Sequence, residues 1–253
     1  MRYSFAVASA VFALSAISPS AMAERLFVSN DEWMFTDSSI STANDTQFAK
    51  NTISWLTGGT PGNVLILSNN FGLTGSGYNS ILTGLGYTVT TTTTVPTSLS
   101  GYSAVLVAGM PVSNTLLTQY VNGGGNVLLE AGTGYGGSSG EAAQWNTFLN
   151  TYGLSLYGPS YNGVGGSIGV SAFSTQSPYG PALFAGVNSV YINNGNNVLL
   201  APGSTSATQV FSDANGNGLY GAWAAPVPEP ETYAMVLVGL GLMGFMVSRK
   251  KSA

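Results

Sequence analysis

The chain opens and closes on apolar runs, and between them short apolar stretches alternate with amphipathic ones. Phe5 to Ile17 is apolar behind Arg2, and Tyr233 to Val247 is apolar ahead of Arg249, Lys250 and Lys251. In the interior, Arg25-Leu26-Phe27-Val28-Ser29 reads as a short strand. Phe48, Ile53, Trp55 and Leu56 recur at spacings that predict a helix over 46–56, ended by Gly58-Gly59-Thr60-Pro61-Gly62. Val64-Leu65-Ile66-Leu67 has the unbroken apolar character of a strand covered on both faces. A helix over 76–85 follows, stopped at Gly86. Residues 87–95, threonine-rich after Thr88-Val89-Thr90, favour a strand. Ala104 to Ala108 is a further buried strand, Asn114 is placed to cap a helix through Val121, and 126–130 is a strand again. This alternation predicts an α/β fold, doubly wound around a mostly parallel sheet. From Tyr157 to Pro226 the chain is rich in Gly, Ser, Asn and Tyr and offers only short runs such as Val190-Tyr191-Ile192 and Val198-Leu199-Leu200. That β-rich part is expected to finish the sheet with hairpins, and the last apolar run to form a single C-terminal helix.

The two ends carry an address. Arg2, the apolar stretch and the small-residue site Ala21-Met22-Ala23 make residues 1–23 a secretory signal peptide, leaving an exported domain over 24–225. The 15 residues from Tyr233 to Val247 are barely enough for a helix to cross a hydrocarbon core about 30 Å thick, and basic residues just beyond such a helix stay cytoplasmic. The body of the protein is then expected outside. Ahead of the run stands Pro228-Glu229-Pro230. Residues 226–253 closely resemble the PEP-CTERM sorting signal of Gram-negative bacteria, with Pro228, Glu229 and Pro230 as the signature triplet and Arg249, Lys250 and Lys251 as the basic end. The resemblance implies an exosortase as partner, anchoring in the inner membrane, and release of the processed protein to the envelope or the extracellular space.

Composition narrows what the domain does. Between the two ends the only bases are Arg25 and Lys50, against eight acids, for a net charge of −6. Nucleic acid is excluded as a partner on that balance, since phosphates call for clustered Lys or Arg. No acidic or basic side chain occurs from Asn51 to Leu129, so solubility there rests on Ser, Thr, Asn and Gly. The chain has neither cysteine nor histidine, which removes a disulfide framework, the commonest metal ligand and the commonest general base.

Tyr102-Ser103-Ala104-Val105-Leu106-Val107, Leu117 and Tyr120-Val121-Asn122-Gly123-Gly124-Gly125-Asn126-Val127-Leu128-Leu129 resemble the core of the class I glutamine amidotransferase-like fold, a flavodoxin-like architecture. Ala142 to Leu154 resembles the helix that follows that core, and Arg25 to Leu56 the segment that usually closes it, which makes the order permuted. Amidotransferases of this fold use a cysteine with a histidine and an acid behind it. Here the corresponding elbow reads Ala131-Gly132-Thr133-Gly134-Tyr135, and no base to activate Thr133 is evident. No catalytic residue, cofactor or metal is expected.

Ligands of open α/β sheets collect at the carboxyl ends of the strands. Those ends supply a candidate ligand cleft of Asp31, Glu32, Trp33, Asn69, Asn70, Met110, Glu130, Thr133 and Tyr135, polar, aromatic and suited to a sugar; ordinary capped loops explain the same residues. Gly132-x-Gly134-x-x-Gly137 fits a phosphate-loop pattern but lies in sequence saturated with glycine. Asp213-Ala214-Asn215-Gly216-Asn217-Gly218 matches the first half of a calcium loop, yet its twelfth position is Ala224 rather than Glu. The expected function is a non-enzymatic exported envelope or matrix protein. The alternatives are a module binding exopolysaccharide and a degenerate hydrolase.

Overall fold

The computed structural model describes residues 23–204 and 206–226. The expected signal peptide except Ala23, the Pro-Glu-Pro triplet, the apolar run and the basic end lie outside the described residues. Among the described residues no helix is long and apolar enough to cross a membrane.

Five strands form a parallel core. They are β1 (Arg25–Ser29), β2 (Asn63–Ser68), β3 (Thr88–Thr92), β4 (Ala104–Ala108) and β5 (Val127–Glu130). β2 pairs with β3 and β4, β4 with β5, and β5 with β1, all parallel. Counted from β2 and closed by β1, the spatial order is 2-1-3-4-5, that of flavodoxin-like sheets. The first strand of this chain thus occupies the place of the last.

The helices cover both faces because the strands alternate. Phe27, Ile66 and Leu106 point toward α1 (Ala43–Leu56) and α3 (Ser76–Gly84), which bury Phe48, Ile53, Tyr78 and Leu82 against them. Leu26, Val28, Leu65 and Val105 point the other way, toward α4 (Asn114–Asn122) and α5 (Gly137–Thr151). Between β3 and β4 the chain crosses on residues 93–103 without a helix, burying Leu99 and packing Val95 and Tyr102 on that second face.

Helix boundaries differ from expectation for local reasons. Thr42 caps α1, accepting from the Asp45 N–H at 3.1 Å and donating to its carboxylate at 2.6 Å, so the helix starts three residues early. A one-turn helix, α2 (Phe71–Thr74), precedes α3, capped by Asn70, whose Oδ1 accepts the Gly72 N–H at 3.0 Å. Ser113, rather than Asn114, caps α4. α5 begins at Gly137, five residues before the apolar pattern shows, and Leu154 belongs to the next strand.

The later part only partly finishes the sheet. A hairpin of β10 (Ala207–Ser212) and β11 (Gly218–Ala224) adds to β1 in antiparallel fashion. β6 (Leu154–Leu156) with β9 (Val198–Leu200), and β7 (Gly166–Gly169) with β8 (Ser189–Ile192), make two separate antiparallel ladders. Two short helices, α6 (Ala172–Gln176) and α7 (Gly180–Leu183), lie between β7 and β8.

Candidate functional site

The carboxyl ends of β1 and β5 hold three of the domain's eight acids, and they are closed over. Asp31, Glu32 and Glu130 are 0, 5 and 1% exposed. Asp31 takes the backbone N–H groups of Trp33 at 2.6 Å and Asn193 at 2.9 Å. Burial still pushes its carboxyl up to about 7 against those bonds. Glu32 also rises to about 7, through burial first and then the charges of Asp31 and Glu141. Glu130 is also raised well above the ordinary value, by burial and by the charges of Asp31 and Glu32, and among the described residues neither of its carboxyl oxygens has a hydrogen-bond partner. Burial in each case favours the protonated form over the charged one.

Over Asp31 the cover comes from the Asn-rich loop 193–196, whereas Gly72 of α2 packs closely on Glu32 and Glu130. Asn30 Nδ2 donates to the Asn193 carbonyl at 3.0 Å, and the Asn196 N–H donates to the Asn30 carbonyl at 3.0 Å. Asn196, itself fully buried, donates on to the carbonyls of Ser138 and Tyr157. The approach is so close that a side chain at Gly195 would collide with the Asn30 carbonyl. A Cβ at Gly132, where φ is +63°, would meet that same carbonyl at 2.7 Å and Gly195 Cα at 2.9 Å.

The loop after β5 is occupied by its own chain. Glu141, in α5 and fully buried, accepts from the Gly132 N–H at 2.8 Å, the Thr133 N–H at 2.7 Å and the Thr133 hydroxyl at 2.6 Å. Thr133 therefore has a carboxylate partner after all, correcting the expectation that no base lies near it. That carboxylate already takes two amides as well, so the arrangement clamps the loop. Glu141 thus already fills two of the amides, those of Gly132 and Thr133, in the stretch Gly132-x-Gly134-x-x-Gly137.

Of the remaining cleft candidates, Asn70 caps α2 and sets its side chain beside Glu32, Asn69 is exposed, Met110 is buried in the core on the α4 and α5 face, and Tyr135 is an exposed loop residue. Trp33 stands apart from the sealed acids. Its ring meets the exposed Phe71 edge-on at 5.1 Å and lies 6.4 Å from Tyr191. Trp33 and Phe71 line an open cavity of about 330 Å³ with Thr36, Asp37, Ser38 and Thr74. Asp37 there accepts from the Gly77 N–H at 2.8 Å and the Ser76 hydroxyl at 3.3 Å. The structure thus brings Asp31, Glu32 and Glu130 together, and separately gathers Trp33, Phe71 and Tyr191.

Sequence reasoning missed Glu141, Asp45 and Tyr191. Asp45 is buried and accepts the Tyr191 N–H at 2.8 Å, tying β8 to the start of α1. Its one visible signal was the Thr42-x-x-Asp45 capping pattern. At the β10–β11 turn, Asp213 accepts the N–H groups of Asn215 at 3.0 Å and Asn217 at 2.8 Å and the Asn217 side-chain amide at 2.8 Å. Burial is the largest single influence and pushes its carboxyl up, but these donors together outweigh it and hold the carboxyl below the usual range. With donors aimed at it, the loop is an Asn-Gly turn. Among the described residues no group of three or more acids is arranged to hold a metal ion.

No curated protein and no solved structure matches the chain. Residues 226–250 match the family described as PEP-CTERM protein-sorting motif. The chain therefore carries, immediately after β11, the sorting motif of a protein exported to the cell envelope and read by an exosortase.

Proposed function

We propose that this is a non-enzymatic, exported envelope or extracellular-matrix protein, held in the inner membrane through its tail until an exosortase processes it. The observation that carries the reading is the sorting motif at 226–250, attached to a domain whose strand-end acids are closed over by the chain's own residues. The domain is a permuted, glutamine amidotransferase-like scaffold that has kept the sheet and lost the chemistry, a reading supported by the 2-1-3-4-5 strand order. Fractionation of the producing cells tests it. The native chain accumulates outside the inner membrane, and a chain with Pro228, Glu229 and Pro230 changed to alanine stays in it; equal retention of both overturns the sorting role.

A second reading has its own observation. Trp33, Phe71 and Tyr191 form an aromatic surface next to hydroxyls and one carboxylate, the composition on which sugar rings stack while their hydroxyls find polar partners. The ligand would be the exopolysaccharide of the producing cell. Calorimetric titration with that polysaccharide gives heat for the native protein and little for Trp33→Ala with Phe71→Ala; absence of heat from the native protein removes the reading.

A further inference from the structure

The two outer strands of the seven-stranded sheet are treated in opposite ways. At one edge, β10 is irregular, with register shifts between Gln209 and Phe211 and between Phe211 and Ser212, and α6 packs against it. A bulge and a covering helix are two standard means of keeping a sheet edge from pairing with another chain. At the other edge, β3 pairs with β2 in unbroken register over Thr88–Thr92 and has no neighbour on its outer side. It contains no charge, no proline and no bulge, and Thr88, Thr90 and Thr91 are exposed.

The register says which peptide groups are free. The Thr88 N–H donates to the Gly62 carbonyl at 3.0 Å, so in a parallel ladder the peptide groups of Thr88, Thr90 and Thr92 face β2. Those of Val89 and Thr91 face outward. Among the described residues no loop or side chain is hydrogen-bonded to them. Two donors and two acceptors are left in a row on a flat, β-branched strand, the form of edge on which a further strand adds.

We propose that β3 is a self-association edge, at which a second copy of this chain adds its own β3 in antiparallel fashion around Thr90. The twofold arrangement sets Thr90 opposite Thr90, Val89 opposite Thr91 and Thr88 opposite Thr92. The outward peptide groups of Val89 and Thr91 then form hydrogen-bonded pairs with those of the other copy, and the side chains make Thr–Thr and Val–Thr cross-strand pairs. A second copy fits because nothing at this edge repels it. The chain carries no acidic or basic side chain from Asn51 to Leu129, whereas like charges opposed across a strand pair are destabilising. The same lack of charge gives an acidic or basic partner nothing to be steered by.

The absence of cysteine from the chain makes the test clean. The full chain with Thr90→Cys is produced in its own cells, exported and run without reductant, beside a chain with Ala143→Cys on the exposed side of α5. Position 90 lies at a non-hydrogen-bonded pair, where the Cα separation of about 4.5 Å suits a disulfide. The expected result is a disulfide-linked dimer as the main species for Thr90→Cys and not for Ala143→Cys. Adding Thr91→Pro removes an outward N–H that the fold does not use and abolishes the dimer while the melting temperature stays near that of the parent. If the proline variant fails to fold, Thr91→Lys serves, and loss of the dimer is again expected. Cross-linking at position 90 no greater than at position 143, or cross-linking that survives the change at Thr91 in a folded chain, overturns the proposal.

Discussion

Glu32 and Trp33 are neighbours in the chain and opposites in the structure. Glu32 is turned in with Asp31 and Glu130, covered by the Asn193–Asn196 loop at Asp31 and by Gly72 at the other two, while Trp33 is turned out beside an open cavity, its ring near those of Phe71 and Tyr191. Both sit at the strand ends where an α/β sheet ordinarily does its work. The acids are shut away from solvent, and the aromatic surface is left open. Adjacent residues at one strand end thus divide between the interior and the surface.

Breaking the closed half gives the largest effects. Glu141→Ala orphans the Gly132 and Thr133 amides, each of which costs about 1–3 kcal/mol when left unpaired in the interior. A loss of about 3 kcal/mol in total lowers the melting temperature of a domain this size by about 6–12 °C, read by thermal unfolding. Gly195→Ala drives a Cβ into the Asn30 carbonyl and costs about 2 kcal/mol by overpacking. Hydrogen exchange then shows the 193–196 loop opening before the sheet does.

A smaller effect has the opposite sign. Asp31, Glu32 and Glu130 have folded values raised above the ordinary carboxylate range, so the folded state binds protons more tightly than the unfolded chain. The contribution of Asp31 and Glu32 is fully present below the unfolded value of about 4 and is lost as pH rises through about 7, and that of Glu130 is lost in the same direction of rising pH. Melting temperature measured from pH 4 to 8 therefore declines over that window. Glu130→Gln keeps the shape of the neutral acid and flattens the decline, raising stability by about 1–2 kcal/mol at pH 8 and little at pH 4; a steeper decline contradicts the account. The open half gives the smallest stability effect. Phe71→Ala, at an exposed ring, changes stability by about 0.5 kcal/mol, and a change of several kcal/mol would make Phe71 a core residue instead.

How much was legible follows from which residues signal through local pattern. The parallel core announced itself because β2, β4 and β5 are apolar on both faces. β1 was legible as a strand from its apolar run, while its place beside β5 is set by long-range pairing that local pattern does not carry. The starts of α1 and α5 were hidden, since Ala43-Asn44 and the glycine- and serine-rich 137–140 stretch carry no apolar period. The strand-end acids were placed correctly on the sheet, but their closure was not legible. Over Asp31 it depends on Asn193 and Asn196 meeting Asn30 and Asp31 across more than 160 residues, and an Asn-Gly loop looks the same in sequence whether it caps a site or lies in water. Phe71 and Tyr191 join Trp33 through the same kind of long-range contact.

The central claim is that the domain is delivered by its tail, and the mass of the delivered protein tests it most directly. Intact-mass measurement of the native protein recovered from outside the cells is predicted to show a chain beginning near Glu24 and lacking the apolar run from Tyr233 to Val247. Recovery only from the inner membrane, with Arg249, Lys250 and Lys251 still attached, would contradict it.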